Sequence, residues 1–140
     1  MSWLLDVNLI LASRWTTHAQ HLAAKTWIDS VGAFHTCAIS ELGFVRISLS
    51  GAYGANWEES QESLKKLHAR SGHQFLPDDA DGMASPKTSS KDTTDAHLVT
   101  LAKRHGLKLA TLDETLIAKP WATGIAANPL LPPKSAPTAA

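Results

Sequence analysis

Apolar and polar positions divide the chain into short apolar runs and longer stretches of helical period. Trp3, Leu4 and Leu5 are apolar on consecutive positions, the pattern of a strand covered on both faces, and Asp6 falls where that strand reaches its carboxyl end. Val7 to Ala12 contains neither Gly nor Pro and predicts a turn into a first helix, with Asn8 placed to satisfy free backbone groups at the junction. After a polar link at Arg14–Thr17, the residues Ala23, Ala24, Trp27, Ile28 and Val31 recur at helical spacing. They predict a second helix from Thr16 or Thr17 to about Val31, closed by Gly32. Phe34 to Ile39 reads as a second strand. From Ser40 to Leu49 two local rules conflict. Val45, Ile47 and Leu49 alternate with Arg46 and Ser48 as in a strand, whereas the Ser40-Glu41 start is that of a helix, and the pattern alone leaves both open.

Gly51–Gly54 is a break, and Asn56-Trp57-Glu58-Glu59 has the form of a capping box opening a helix that carries Leu64 and Leu67 and closes at Gly72. Gln74-Phe75-Leu76 is a third short strand stopped by Pro77. Asp78 to Lys91, with Gly, Pro, Ser and charges but no period, is a surface loop. A clear helix begins at Thr94, with Asp95 in its first turn, Leu98, Leu101 and Ala102 on one stripe, and Lys103, Arg104 and His105 before Gly106. Leu107 to Leu112 is a fourth strand ended by Asp113. A short helix from Glu114 to about Ala118 and a last strand at Ile125–Ala127 follow. Strands separated by helices imply an α/β domain over residues 1–128, with a mainly parallel sheet of four to five strands covered on both faces. The Pro/Ala/Thr stretch 129–140 is expected to be a flexible tail.

Composition narrows the function classes. With 140 residues, 44% of them hydrophobic, one domain with its own core is expected. A formal net charge of zero excludes a global basic field for gathering nucleic acid, so any polyanion must be held locally or through a metal. The single cysteine, Cys37, excludes an internal disulfide framework and a cysteine zinc cage, and suits a reducing cytosol. Asp6 interrupts the first apolar run and no uninterrupted run reaches membrane-spanning length, so a soluble, cytoplasmic chain without membrane association is expected.

The candidate chemistry lies in four acids at element boundaries: Asp6 and Asp113 at strand ends, Glu41 and Asp95 at the starts of following helices. In a parallel sheet such positions share one rim, where ligands bind. Like charges brought together raise one another's pKa and resist joint ionisation unless a cation is present. An oxygen-only donor set favours a hard ion, Mg²⁺ or Mn²⁺, able to activate water and to neutralise charge on a phosphodiester. Taken singly, the same acids are ordinary helix caps or dipole partners.

Four segments in order, Leu4-Leu5-Asp6-Val7-Asn8, Ile39 to Arg46, Thr94-Asp95-Ala96-His97-Leu98 with Leu101-Ala102, and Leu109 to Asp113, resemble the PIN-domain ribonucleases, and most closely the VapC toxins of bacterial toxin–antitoxin pairs. The match spans Trp3 to about Ala127. The resemblance implies a three-layer α/β/α PIN-like domain, a helix after Ser40, and an acidic metal site of Asp6, Glu41, Asp95 and Asp113, with Asp6 and Asp95 as direct ligands. It also implies an RNA substrate, often transfer or ribosomal RNA, a cognate antitoxin that blocks the cleft, and a homodimer. Two departures stand out: His97 occupies a position where these toxins commonly carry an aromatic such as Tyr, and the Pro-rich tail has no counterpart.

Other residues carry bland readings beside sharper ones. Asn8 is a structural cap, and Thr111 a strand residue whose hydroxyl can support the acids from behind. His18 and His21 have the spacing for a transition-metal pair on one helix face but lack a third ligand. Arg14, Arg46, Lys87 and Lys91 are candidates for gripping phosphates, or plain surface charge. Trp15, Trp57 and Trp121 are core or interface residues. Cys37 is a buried small residue with no activating neighbour. Two competing functions remain open: a catalytically silent module that binds RNA or antitoxin, and a phosphotransfer domain with an aspartyl nucleophile. Asp6-Val7-Asn8 lacks the second acid that the latter needs.

Overall fold

The structure is a computed structural model that describes residues 2–131. Most of the expected tail, residues 132–140, lies outside the described residues. Its first residues, 129–131, form a turn in which Leu130 packs against the core and its N–H donates to Asn128 Oδ1 at 3.0 Å. An apolar side chain thus packs the first residues of that stretch on the body.

Five short strands, β1 (Trp3–Leu5), β2 (Phe34–Thr36), β3 (His73–Phe75), β4 (Lys108–Ala110) and β5 (Ala126–Ala127), form one parallel sheet in the order β3-β2-β1-β4-β5. The chain first winds outward from β1 to β3, then returns to β4 on the other side of β1. Crossovers of one hand that run in opposite directions put their helices on opposite faces of the sheet. Two apolar clusters follow from this. Leu5, Phe34 and Ala110 point toward helices α1 (Val7–Arg14), α2 (His21–Ser30), α3 (Ala38–Ser48) and α4 (Trp57–His68). Leu4 and Leu109, one position earlier on the same strands, point toward α5 (Thr93–Arg104) and α6 (Glu114–Ile117). Both clusters are buried, so the strands are apolar on successive residues rather than alternately. This is the three-layer α/β/α arrangement.

Two of the element boundaries that differ from the sequence pattern bear on candidate residues. The second strand stops at Thr36 instead of Ile39, because Cys37 is the N-cap of α3 and exchanges capping contacts with Ser40; the ambiguous stretch after Ser40 is helix. α2 begins at His21, four residues after Thr17, since residues 16–20 are taken up by turns. His18 therefore lies outside the helix, and His18 and His21 do not share a helix face. His18 Nδ1 accepts from the Gln20 N–H, while His21 Nδ1 bonds the Ala12 carbonyl. By contrast, the capping box of Asn56 and Glu59 forms as the spacing predicts.

The loop from Asp78 to Lys91 holds one short 3₁₀ turn, with another at Ser90–Asp92, and is tied to the body. His97 Nε2 lies 2.6 Å from Asp78 Oδ2, and His105 and Arg104 both reach Asp79. Gly72 lets α4 return to the sheet: a Cβ there would lie 1.7 Å from the Gly32 carbonyl oxygen. No helix among the described residues is long and apolar enough to cross a membrane.

Candidate active site

The order β3-β2-β1-β4-β5 reverses direction between β1 and β4, and the crevice at the carboxyl ends of those two strands is where such sheets bind ligands. Asp6 follows β1 directly, is buried, and caps α1: its Oδ1 accepts from the Val7 N–H at 2.7 Å. Its Oδ2 accepts from the Thr111 hydroxyl at 2.8 Å. That hydroxyl is used to capacity, since it also accepts from Asn8 Nδ2 at 3.2 Å and from the Asp113 N–H at 3.1 Å. Asn8 Oδ1 in turn accepts from the Leu112 N–H at 3.0 Å. Asn8 and Thr111, read from sequence as a cap and a strand residue, thus stitch the start of α1 to the end of β4 and aim Asp6 between them.

Asp113 caps α6, with Oδ1 accepting from Thr115 and Leu116, and faces the same crevice. Asp95 enters from the opposite layer in the first turn of α5. The resulting cleft, about 360 Å³, is lined by these three acids, with Asn8 behind them, and by Arg46 and Lys91 at its sides. Burial pushes the Asp6 carboxyl above its ordinary range, opposed by the bonds from Thr111 and Val7 and reinforced by Asp113. Asp95 is pushed up to about 6, first by burial and then by the charges of Asp6, Asp113 and Asp92. Asp6 and Asp95 thus hold protons more tightly than free carboxyls, an arrangement relieved by a cation. The donors are all oxygen, which fits a hard divalent ion.

Glu41 does not join them. α3 meets α1 along the face that carries Gly43, whose absent side chain leaves room for Val7: a Cβ there would lie 2.5 Å from Val7 Cγ2. Arg46 and Ile47, one turn on, look into the acid cleft. Glu41 is two residues before Gly43, which is about 200° of rotation on an α-helix, and it shares the other face with Ala38, Leu42 and Val45 beside α4. Its carboxylate accepts from the Thr36 hydroxyl and lies 2.6 Å from His68 Nε2. A helix start at the right rim was legible in the sequence; the phase that turns Glu41 away was not.

The other candidates sort by position. Of the four basic residues, Arg46 and Lys91 line the acid cleft; Arg14 donates to Ser63 Oγ at 2.9 Å beside α4, and Lys87 is exposed on the loop. Trp15 is held in the core, stacked on Phe44 with its Nε1–H on Ser48 Oγ at 2.8 Å. Trp121 packs on the second cluster, and Trp57 is exposed. Cys37 is buried, and burial pushes its thiol up, away from nucleophilic character. Sequence reading missed His73, which burial and the neighbouring His68 bring down to about 4. Its only signal was its place five residues after His68 across a turn.

The fold and this cleft define an α/β domain of the PIN class, and the PIN domain family model matches residues 3–121. Ribonuclease VapC38 of Mycobacterium tuberculosis is 37% identical over 120 residues, covering 79% of this chain and 84% of that protein. Ribonuclease VapC39 of the same organism is 35% identical over 127 residues, covering 83% and 91%. In structure, VapBC2 from Rickettsia felis, solved bound to a DNA fragment from its promoter, superposes with a TM-score of 0.61 at 13% identity, covering 91% of this chain and 98% of that one. The chain belongs to the PIN-domain family, in its VapC branch.

Proposed function

We propose that this protein is a divalent-metal-dependent endoribonuclease, with Asp6, Asp95 and Asp113 as its catalytic acids. The convergence of these three carboxyls from β1, α5 and β4 on one cleft carries the reading. The oxygen-only donor set, together with the raised pKa of both Asp6 and Asp95, fits Mg²⁺ or Mn²⁺. An ion of this class, when bound, supplies an activated water and neutralises charge on the phosphodiester.

The chain's own residues do the rest. Thr111 and Val7 hold both oxygens of Asp6 in a set orientation, so the ligand closest to the core needs no reordering when a cation arrives. Asp95 must give up its proton to serve as a ligand, which ties cation binding to pH. Arg46 and Lys91 flank the acids and hold the phosphates on either side of the scissile bond, the local positive charge that a chain of zero net charge requires. Val7, Leu11, Ile47 and Leu98 form apolar wall around the acids and limit competing water.

VapC membership extends the proposal to the biology: transfer or ribosomal RNA as substrate, a cognate antitoxin that covers the open cleft, a homodimer, and a cytoplasmic location. Glu41, which the family resemblance places in the metal site, is left out of it.

The test is cleavage of transfer and ribosomal RNA by the purified chain with Mg²⁺ or Mn²⁺. Cleavage that ends on chelation, and that is lost in Asp6→Asn and Asp95→Asn while the fold survives, is the expected result. RNA bound but uncut at every metal concentration would replace the nuclease by a binding module.

A further inference from the structure

Glu41, turned away from the acids, stands in a second constellation. α4 ends at His68 and β3 starts at His73, so the intervening turn sets two imidazoles side by side, with ring centroids 4.2 Å apart and planes 25° from parallel. Glu41 reaches them from α3, its Oε2 2.6 Å from His68 Nε2. The Thr36 hydroxyl, at the end of β2, contacts the same carboxylate and lies 2.7 Å from His73 Nε2. One ligand atom from each of Glu41, His68 and His73 lies within 4.8 Å of the others.

We propose that Glu41, His68 and His73 form a site for a transition-metal ion of the Zn²⁺ class, separate from the acid cleft. Tetrahedral Zn²⁺ with bonds of about 2.1 Å requires its ligand atoms roughly 3.4 Å apart, so the three donors need only small side-chain rotations to share one ion. Two imidazoles and a carboxylate suit zinc and its neighbours, whereas the oxygen-only acid cleft suits Mg²⁺ or Mn²⁺. The two sites thus sort two kinds of ion by donor chemistry. Thr36 holds the Glu41 carboxylate from behind, as metal-ligating carboxylates are commonly held. The site opens to solvent along the groove between α3 and α4, the His68 side chain being 39% exposed and that of Glu41 15%, so an ion can enter and a water can complete the shell. Its structural effect is a clip: β3 is an edge of the sheet, and the ion would tie that edge and the end of α4 to α3.

The experiment uses the full chain, untagged and stripped with chelator, in the Asp6→Asn/Asp95→Asn background so that the acid cleft does not contribute. Zn²⁺ is titrated by calorimetry and Co²⁺ by its visible absorption. The expected result is one equivalent bound, low-coordinate Co²⁺ bands, and a melting temperature that rises with Zn²⁺ concentration. His68→Gln, at an exposed position, should weaken binding by at least about tenfold while its circular dichroism matches the parent. His18→Gln/His21→Gln should leave binding intact. Zn²⁺ affinity unchanged in a folded His68→Gln, binding abolished by the His18/His21 pair, or no binding tighter than millimolar would each reduce the cluster to a hydrogen-bond network. RNA cleavage is scored separately, in wild-type chain with Mg²⁺, and its outcome bears on neither result.

Discussion

The Thr111 hydroxyl donates to Asp6 Oδ2 at 2.8 Å across 105 residues of sequence, so the orientation of the most buried acid is set by the residue that follows β4 as well as by the Val7 N–H beside it. Thr111→Val keeps the shape and removes the donor. It also leaves Asn8 Nδ2 and the Asp113 N–H without their acceptor, at a cost of about 1–3 kcal/mol. RNA cleavage should fall by roughly 10- to 100-fold, as when a supporting partner of a metal ligand is lost. Thr111→Ser, which keeps the hydroxyl, should restore most of it. Turnover on a short RNA and a denaturant melt read the two effects.

Asp95 predicts a pH signature in the metal-free protein. Its pKa rises from 3.8 to about 6 on folding, so the folded state binds the proton more tightly. The associated stability is fully present below 3.8 and is lost as pH rises through about 6. The melting temperature of wild type relative to Asp95→Asn should therefore drop between pH 4 and pH 7, and added Mn²⁺ should remove the drop. A difference that stays flat with pH would contradict a crowded Asp95. Comparison with the variant cancels His73, whose lowered pKa acts in the opposite direction over the same range.

The divergence of Glu41 from the other acids separates their mutants. Asp6→Asn should cost at least about 100-fold in cleavage, the order of a lost metal contact in the transition state. Glu41→Gln should keep most of the activity, because its carboxylate is engaged with Thr36 and His68 instead of the cleft. Equal losses in both would return Glu41 to the catalytic set.

Gly43 tests the packing that sets the phase of α3. Alanine in a helix interior gains about 1 kcal/mol over glycine, but its Cβ would lie 2.5 Å from Val7 Cγ2. Overpacking of that kind costs roughly 1–3 kcal/mol, so Gly43→Ala should be neutral to destabilising on balance. Adding Val7→Ala should turn the substitution into a gain. Equilibrium unfolding of the two single variants and the double variant measures the coupling.

Arg46 should act on RNA through a phosphate. Arg46→Ala should weaken binding to unrelated RNA sequences alike and lower the salt slope of binding by about one unit. Arg14→Ala, beside α4, should leave that slope unchanged. Filter binding over a range of salt concentrations distinguishes them.

Apolar runs, caps and glycines in the chain were enough to define the capping box at Asn56 and the helix carrying Asp95, because each depends on contacts within a few residues, and the alternation of doubly apolar strands with helices implied a covered parallel sheet. They also placed Asp6, Asp95 and Asp113 at the correct rim, since that rim follows from strand direction alone. Tertiary structure decided the remainder. Helix phase is set by which face packs, and the close approach of Gly43 to Val7 turned Arg46 into the cleft and Glu41 out of it. The meeting of Glu41, His68 and His73 depends on three elements docking at a sheet edge, a long-range geometry that no local spacing encodes.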